Sequence, residues 1–181
     1  LKSKAEPLNI VTNVLLDTMQ GERVKSVEEL TIANFLYLNN IDYEYERPYP
    51  HGTPMYRPDF YLKKNDIYLE HFGVDENNRA KWLTPFNEEK YVADMQLKRE
   101  RHKQFNTKLL ETYSYYNRQN ILLERLKEML QTEQVPFAPR DAKEILKKVS
   151  SKDKQFGKEI NKLIESFINL SKSKRIAPED L

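Results

Sequence analysis

The sequence predicts an α/β fold in which a mixed β-sheet is flanked by helices and followed by a helical C-terminal extension. Three observations carry that expectation. A helical pattern near the start gives way at residue 41 to three consecutive strand patterns, and helix, strand and helix then follow. Three strands in succession with no helix between them point to a mixed sheet rather than a purely parallel one. Pro136 and Pro139 then mark a break, after which only helical, Lys-rich patterns remain.

Residues 5–20 (AEPLNIVTNVLLDTMQ) read as a short lead-in helix ended by a turn at Gly21. Ser26 opens a second helix, with Glu29 completing an S-x-x-E capping box. Ile32, Ala33 and Leu36 give it an apolar face up to about Leu38, and Asn39-Asn40 ends it. Residues 41–49 alternate Ile41, Tyr43, Tyr45 against Asp42, Glu44, Glu46, the pattern of a half-buried strand. Further strands are expected at 55–63 and 66–73. A loop around Thr84-Pro85 leads to a charged helix at about 88–105, then a strand at 107–114 and an amphipathic helix at 120–132. Helices at about 141–149 and 153–170 complete the chain. The expected divisions are a lead-in (1–23), an α/β domain (24–135) and a helical extension (136–181).

Composition narrows the chemistry. With 181 residues, 39% of them hydrophobic and 32% charged, the chain has room for one compact domain with a core and a smaller appendage. Only four Gly stand against eleven Tyr, which argues against Gly-rich phosphate loops, and no G-x-x-x-x-G-K-[ST] stretch occurs. The absence of Cys excludes a thiolate zinc module and a disulfide framework, and fits a reducing cytoplasm. No long apolar run is present, so no membrane partner is expected. The chain opens on Leu1, which suggests a piece of a larger protein. A net charge of +2 neither demands nor forbids nucleic acid, so binding would have to come from local clusters.

The most informative segment is the hairpin Tyr56-Arg57-Pro58-Asp59-Phe60-Tyr61-Leu62 followed by Ile67-Tyr68-Leu69-Glu70-His71. If the turn centres on Lys64-Asn65, Leu62 pairs with Ile67 and Phe60 with Leu69. That register puts Asp59 opposite Glu70 on the other face, beside Tyr61 and Tyr68. Opposed like charges are destabilising, and a cation between the two carboxylates relieves the repulsion. Mg²⁺ is held by one or two carboxylates plus water and phosphate. The hairpin alone is equally compatible with a solvated charged pair on an exposed sheet face. Glu29 is a third acid, explained either by its cap or by a place facing the sheet.

Taken together these residues resemble the PD-(D/E)XK superfamily, the restriction-endonuclease-like nucleases. More narrowly, VKSVEELTIANFLYLNNIDYEYERPY, YRPDFYL, DIYLEHFG and KLLETYSY resemble the nuclease-like insertion of superfamily 1 DNA helicases of the helicase IV group. The tail FINLSKSKRIAPEDL resembles the return to the helicase core. The resemblance covers about residues 24–130, with a weaker match at 160–181. It implies a restriction-endonuclease-like sheet, Asp59 and Glu70 as ligands of Mg²⁺ (or Mn²⁺), Glu29 assisting from the first helix, and DNA and the helicase core of the same polypeptide as partners in DNA processing or repair. One departure stands out: the lysine expected two residues after the second acid is here Phe72. Tyr91, Met95, Lys98, His102 and Phe105 form one stripe on the following helix, so Lys98 can replace it or can snorkel past the stripe to water. His71 and His102 are expected to support the site rather than to bind metal.

Three functions therefore stand open: a metal-dependent deoxyribonuclease domain, a catalytically inert DNA-binding accessory domain of the helicase, and a protein-interaction module using the Lys-rich tail.

Overall fold

The computed structural model describes residues 16–52 and 56–150. Helix α1 (Val27–Leu38) starts where the capping pattern places it. The Ser26 hydroxyl accepts the Glu29 N–H at 3.0 Å, while Glu29 Oε2 reaches back to the N–H of Lys25 at 3.1 Å. The box thus closes one residue earlier than its usual form; such a cap contributes about 0.5–2 kcal/mol. Leu30, Ile32, Ala33, Phe35, Leu36 and Leu38 are buried along the helix. Asn40 ends it in the left-handed region at φ 56°, a conformation Asn tolerates better than most residues.

Strands β1 (Tyr43–Tyr45), β2 (Phe60–Leu62), β3 (Ile67–Phe72) and β4 (Lys108–Tyr113) form one sheet in the order β1-β2-β3-β4. The first two pairings are antiparallel and β3–β4 is parallel, so the sheet is mixed. The hairpin register is the one the alternation predicts, with Phe60 opposite Leu69 and Leu62 opposite Ile67. A parallel pair needs a crossover, and α2 (Pro85–Gln104) supplies it, with Pro85 in the first turn, where its missing N–H costs nothing.

The two sheet faces have different cover. Phe60, Leu62, Ile67 and Leu69 pack against α1 and against Leu122, Leu126 and Leu130 of α4 (Leu122–Thr132) in the main core. On the opposite face Phe72 packs with Met95 of α2, and Tyr68 clusters with Tyr49 and Tyr56. Glu70 lies between Tyr68 and Phe72 in the strand and therefore faces α2.

Several boundaries differ from the sequence expectation. Residues 16–20 are not helical: Asp17 pairs with Arg23 in an antiparallel bridge around Gly21, whose φ of 118° favours glycine. The rest of the expected 5–20 helix lies outside the described residues, as does the one at 153–170. The 41–49 strand stops at Tyr45 because Glu46 turns to φ 48°. The 55–63 strand begins only at Phe60, two residues after Pro58, which has no N–H to give a ladder. Strand 107–114 passes at Ser114 into a short unforeseen helix, α3 (Ser114–Arg118). Helix α2 begins at Pro85, about one turn before the expected start. Helix α5 (Ala142–Ser150) occupies the expected place. No helix among the described residues is long and apolar enough to cross a membrane.

Candidate active site: two carboxylates and a lysine beneath α2

Extending the β2–β3 register by one residue sets Asp59 opposite Glu70. Glu70 is 1% exposed, so its charge requires partners. It has them: Lys98 Nζ lies 2.9 Å from Oε2, and the Tyr56 hydroxyl donates to Oε1 at 2.9 Å. Lys98 therefore leaves its otherwise apolar stripe to meet the second acid, rather than passing by to water. Met95 and His102 of the same stripe are buried, while Tyr91 is partly so. Two further lysines near the site, Lys81 and Lys90, go elsewhere: Lys81 pairs with Asp75 at 3.0 Å, and Lys90 lies over the Phe86 ring.

Asp59 is half-buried and accepts the backbone N–H of His71 through Oδ2 at 2.7 Å. Among the described residues no other donor hydrogen-bonds to it, so Oδ1 remains open for a ligand. Its pKa is raised well above the ordinary carboxylate value, first by burial and second by the charge of Glu70. The repulsion expected from the sequence is thus present, but desolvation is the larger influence. Burial also raises the Glu70 pKa, against the opposing pull of Lys98 and Tyr56. For Lys98, burial alone would lower the pKa; the Glu70, Asp59 and Asp94 carboxylates outweigh it and keep the ammonium charged.

Glu29 fulfils both roles left open for it. It completes the helix cap and also accepts the Tyr45 hydroxyl at 2.6 Å, tying α1 to the sheet. It touches neither Asp59 nor Glu70 by hydrogen bond, yet its charge helps raise the Asp59 pKa.

A cleft of about 410 Å³ is lined by Lys25, Glu46, Tyr56, Arg57, Asp94, Leu97, Lys98 and Arg101; it meets the paired acids through Tyr56 and Lys98, the two side chains bonded to Glu70. Its cationic side chains come from three separate parts of the chain. Lys25 precedes α1 and pairs with Glu46; Arg57 donates to the Glu46 carbonyl at 3.0 Å; Lys98 and Arg101 belong to α2. Four cations against the two acids Glu46 and Asp94 give the cleft a net positive lining, which suits a phosphodiester backbone.

Behind Glu70 runs a chain of polar groups, buried at Tyr56 and His102 and partly exposed at Thr107. Tyr56 hydroxyl meets His102 Nε2 at 2.9 Å, His102 Nδ1 meets Thr107 Oγ1 at 2.8 Å, and the Tyr49 hydroxyl meets Thr107 Oγ1 at 2.5 Å. An ionised Glu70 can only accept, so Tyr56 donates to it and must accept from an Nε2–H. Thr107 then donates to Nδ1 and accepts from Tyr49. Burial first, and Arg101 second, lower the His102 pKa to about 4, so the ring is neutral at pH 7 and fills this role as a single tautomer.

Neither sequence periodicity nor spacing pointed to Glu28. It shares the first turn of α1 with Glu29 but serves the other side of the site. His71 Nε2 lies 2.8 Å from Glu28 Oε2 and its Nδ1 lies 2.9 Å from Thr112 Oγ1, while Ser114 and Asn117 also donate to Glu28. His71 therefore braces Asp59 through its backbone while its ring joins α1 to β4. Burial, the largest influence, acts to raise the Glu28 pKa, but the hydrogen bonds from His71 and Ser114 and the His71 charge hold it at about 2. A lowered pKa contributes stability above the ordinary value of 4.5, lost as pH falls toward 2. Glu28→Gln should lose on the order of 2–3 kcal/mol at pH 7, measured by urea unfolding. The difference from wild type should shrink steadily between pH 5 and pH 2; a difference independent of pH would contradict this assignment.

Tyr56, Arg57 and Arg101 were also missed as site residues. Tyr56 read as one more strand aromatic, and only the fold brings its hydroxyl between Glu70 and His102. Among the described residues no group of three or more His, Asp or Glu side chains is placed to hold a metal ion by itself. The donor set fits a narrower case, in which two carboxylates hold the ion and water and phosphate oxygens complete it. Comparison with protein-family models, with curated proteins and with solved structures finds no match to this chain.

Proposed function

We propose that this domain hydrolyses DNA phosphodiester bonds with the help of Mg²⁺ or Mn²⁺, held between Asp59 and Glu70. The observation that carries the reading is the ion pair of Lys98 with Glu70 at 2.9 Å, which returns a lysine to the second acid although Phe72 occupies its usual place in the resembled family. When bound, the metal supplies Lewis-acid polarisation of the phosphate and a more acidic water. The side chains do the rest. Asp59 Oδ1 offers an open ligand position, and Glu70 is oriented by Lys98 and Tyr56, whose hydrogen bonds favour its ionised form. Lys98, once released in part from Glu70, places its ammonium against charge developing on the scissile phosphate. Lys25, Arg57 and Arg101 line the path of the flanking phosphates. Glu29 acts at longer range, through its charge and through the position of α1. In the same proposal the domain serves a superfamily 1 helicase core in its own polypeptide, a context supported by the resemblance of its motifs.

A specific observation favours the second reading, an inert DNA-binding accessory domain. Both Glu70 oxygens are already engaged by Tyr56 and Lys98, so an incoming metal has to compete with a protein cation. The test incubates the full chain with end-labelled single- and double-stranded DNA in Mg²⁺, Mn²⁺ or chelator. Metal-dependent cleavage that disappears in Asp59→Asn supports the nuclease. Salt-sensitive binding without cleavage would favour the accessory domain, and no DNA binding at all would leave the protein-interaction module.

A further inference from the structure

Most large apolar side chains are buried, but Trp82 is 67% exposed and Phe86 64% exposed, four residues apart on either side of the start of α2. The indole is not loose. Its Nε1 donates to the Gly73 carbonyl at 2.7 Å, and its ring meets Tyr91 edge-on with centroids 5.8 Å apart. The Tyr91 hydroxyl in turn accepts the Gly73 N–H at 2.8 Å, so both backbone groups of Gly73 are used to fix this corner. A Cβ at position 73 would come within 3.2 Å of the indole nitrogen, so glycine gives the ring its room. With the N–H used inside the protein, what faces solvent is bare π surface. Beside it, Lys90 Nζ lies 4.2 Å from the Phe86 ring centroid, adding a cation to a second exposed ring.

This corner is continuous with the cleft. Phe86, Lys90, Asp94, Leu97 and Arg101 follow one another at spacings of four and three along one side of α2, and the last three line the cleft. Tyr91, which holds the Gly73 corner, and Lys98, which holds Glu70, lie two turns apart, or about 10 Å along the helix. At roughly 3.4 Å per stacked base, that is about three bases of one strand.

We propose that Trp82 and Phe86 form a stacking shelf for the unpaired bases of single-stranded DNA whose backbone passes through the cleft. A fixed, exposed aromatic ring in a corner that also holds a cation suits a flat, charged polymer with exposed π faces. Duplex DNA does not offer its base faces, so the shelf selects single strands. The identity of the occupant rests on the nucleic-acid reading of the cleft, but the shelf requires no catalysis.

Trp82 is the only tryptophan in the chain, so its fluorescence reports on the shelf directly. The full chain is titrated, with chelator present to prevent cleavage, with a short oligothymidylate, an abasic oligodeoxynucleotide of equal length, and the corresponding duplex. Stacked thymine should quench the emission, whereas the abasic strand, with the same phosphates, and the duplex should leave it nearly unchanged. Phe86→Ala and Trp82→Ala should each weaken oligothymidylate binding about 5- to 100-fold, read by anisotropy of a labelled strand, while binding of the abasic strand stays the same. Equal affinity for the thymidylate and abasic strands, without quenching, would overturn the proposal. So would an emission change that follows protein concentration without DNA, which would make the corner a self-association surface. If quenching occurs but the chain never cleaves DNA in Mg²⁺, the shelf stands and only the nuclease reading fails.

Discussion

Replacing Lys98 by Met should cost the metal-free protein about 3–5 kcal/mol at neutral pH, the range for leaving one member of a buried ion pair without its partner. Glu70 is 1% exposed and its Oε2 has Lys98 as its counter-charge. Methionine keeps most of the aliphatic stem and removes the ammonium, so the loss reports on charge more than on packing. The sign of the pH dependence follows from Glu70. Without Lys98 its carboxyl pKa in the folded state rises further, so the penalty is full above that raised value, fades as pH falls through it, and is gone by the ordinary carboxylate range. Adding Glu70→Gln to Lys98→Met should restore most of the loss, because a neutral pair leaves no uncompensated charge. Urea unfolding of the four proteins forms a double-mutant cycle. Additive losses would mean that the pair contributes little to the fold and that Lys98 is held by other contacts. Turnover should fall in Lys98→Met even where Mg²⁺ restores stability, since the metal can neutralise Glu70 but cannot replace an ammonium at the phosphate.

Asp59→Asn should have the opposite effect on the metal-free protein. Burial and the neighbouring Glu70 raise the Asp59 pKa, so ionising it weighs against the folded state. That cost is absent below the ordinary pKa of about 3.9 and complete above the raised one. Asparagine avoids it while its side-chain carbonyl still accepts the His71 N–H. The variant should therefore unfold at higher temperature than wild type at pH 7, with the difference vanishing near pH 3. Cleavage should be lost at every pH, because the open ligand oxygen is gone. A variant less stable than wild type at pH 7 would show that the carboxylate holds the hairpin together by its hydrogen bond rather than straining it.

Much of this site can be read from the chain itself, for a physical reason. Strict two-residue alternation leaves a hairpin one register that buries Phe60, Leu62, Ile67 and Leu69, and that register carries Asp59 and Glu70 to the opposite face. The stripe that holds Lys98 is equally local, since helical spacing alone aligns it with Met95 and His102. What could not be read is what depends on distant partners. Glu28 meets His71 across 43 residues and Ser114 across 86, and no periodicity connects them. The strands expected at 41–49 and 55–63 are shorter in the structure, because the alternation of Ile41, Tyr43 and Tyr45 runs past the point where Glu46 turns, and because Pro58 breaks the ladder ahead of Phe60. Tyr115 and Tyr116 carry strand propensity, yet they lie in α3, where the Tyr115 N–H reaches the Val74 carbonyl. Tertiary contact outweighed local preference there.

A cleavage assay can be misled by a trace of contaminating nuclease, whereas the thermal midpoint belongs to the protein itself. The most direct measurement is therefore the midpoint of wild type, Asp59→Asn and Glu70→Gln as Mg²⁺ or Mn²⁺ is titrated at pH 7. A ligand bound only by the folded state adds RT ln(1 + [L]/Kd), about 2.7 kcal/mol at a hundredfold excess over Kd. The wild-type midpoint should rise by several degrees and continue to rise with the logarithm of metal concentration, while both variants stay flat. A wild-type midpoint that ignores the metal, or variants that respond as wild type does, would contradict a metal held between Asp59 and Glu70.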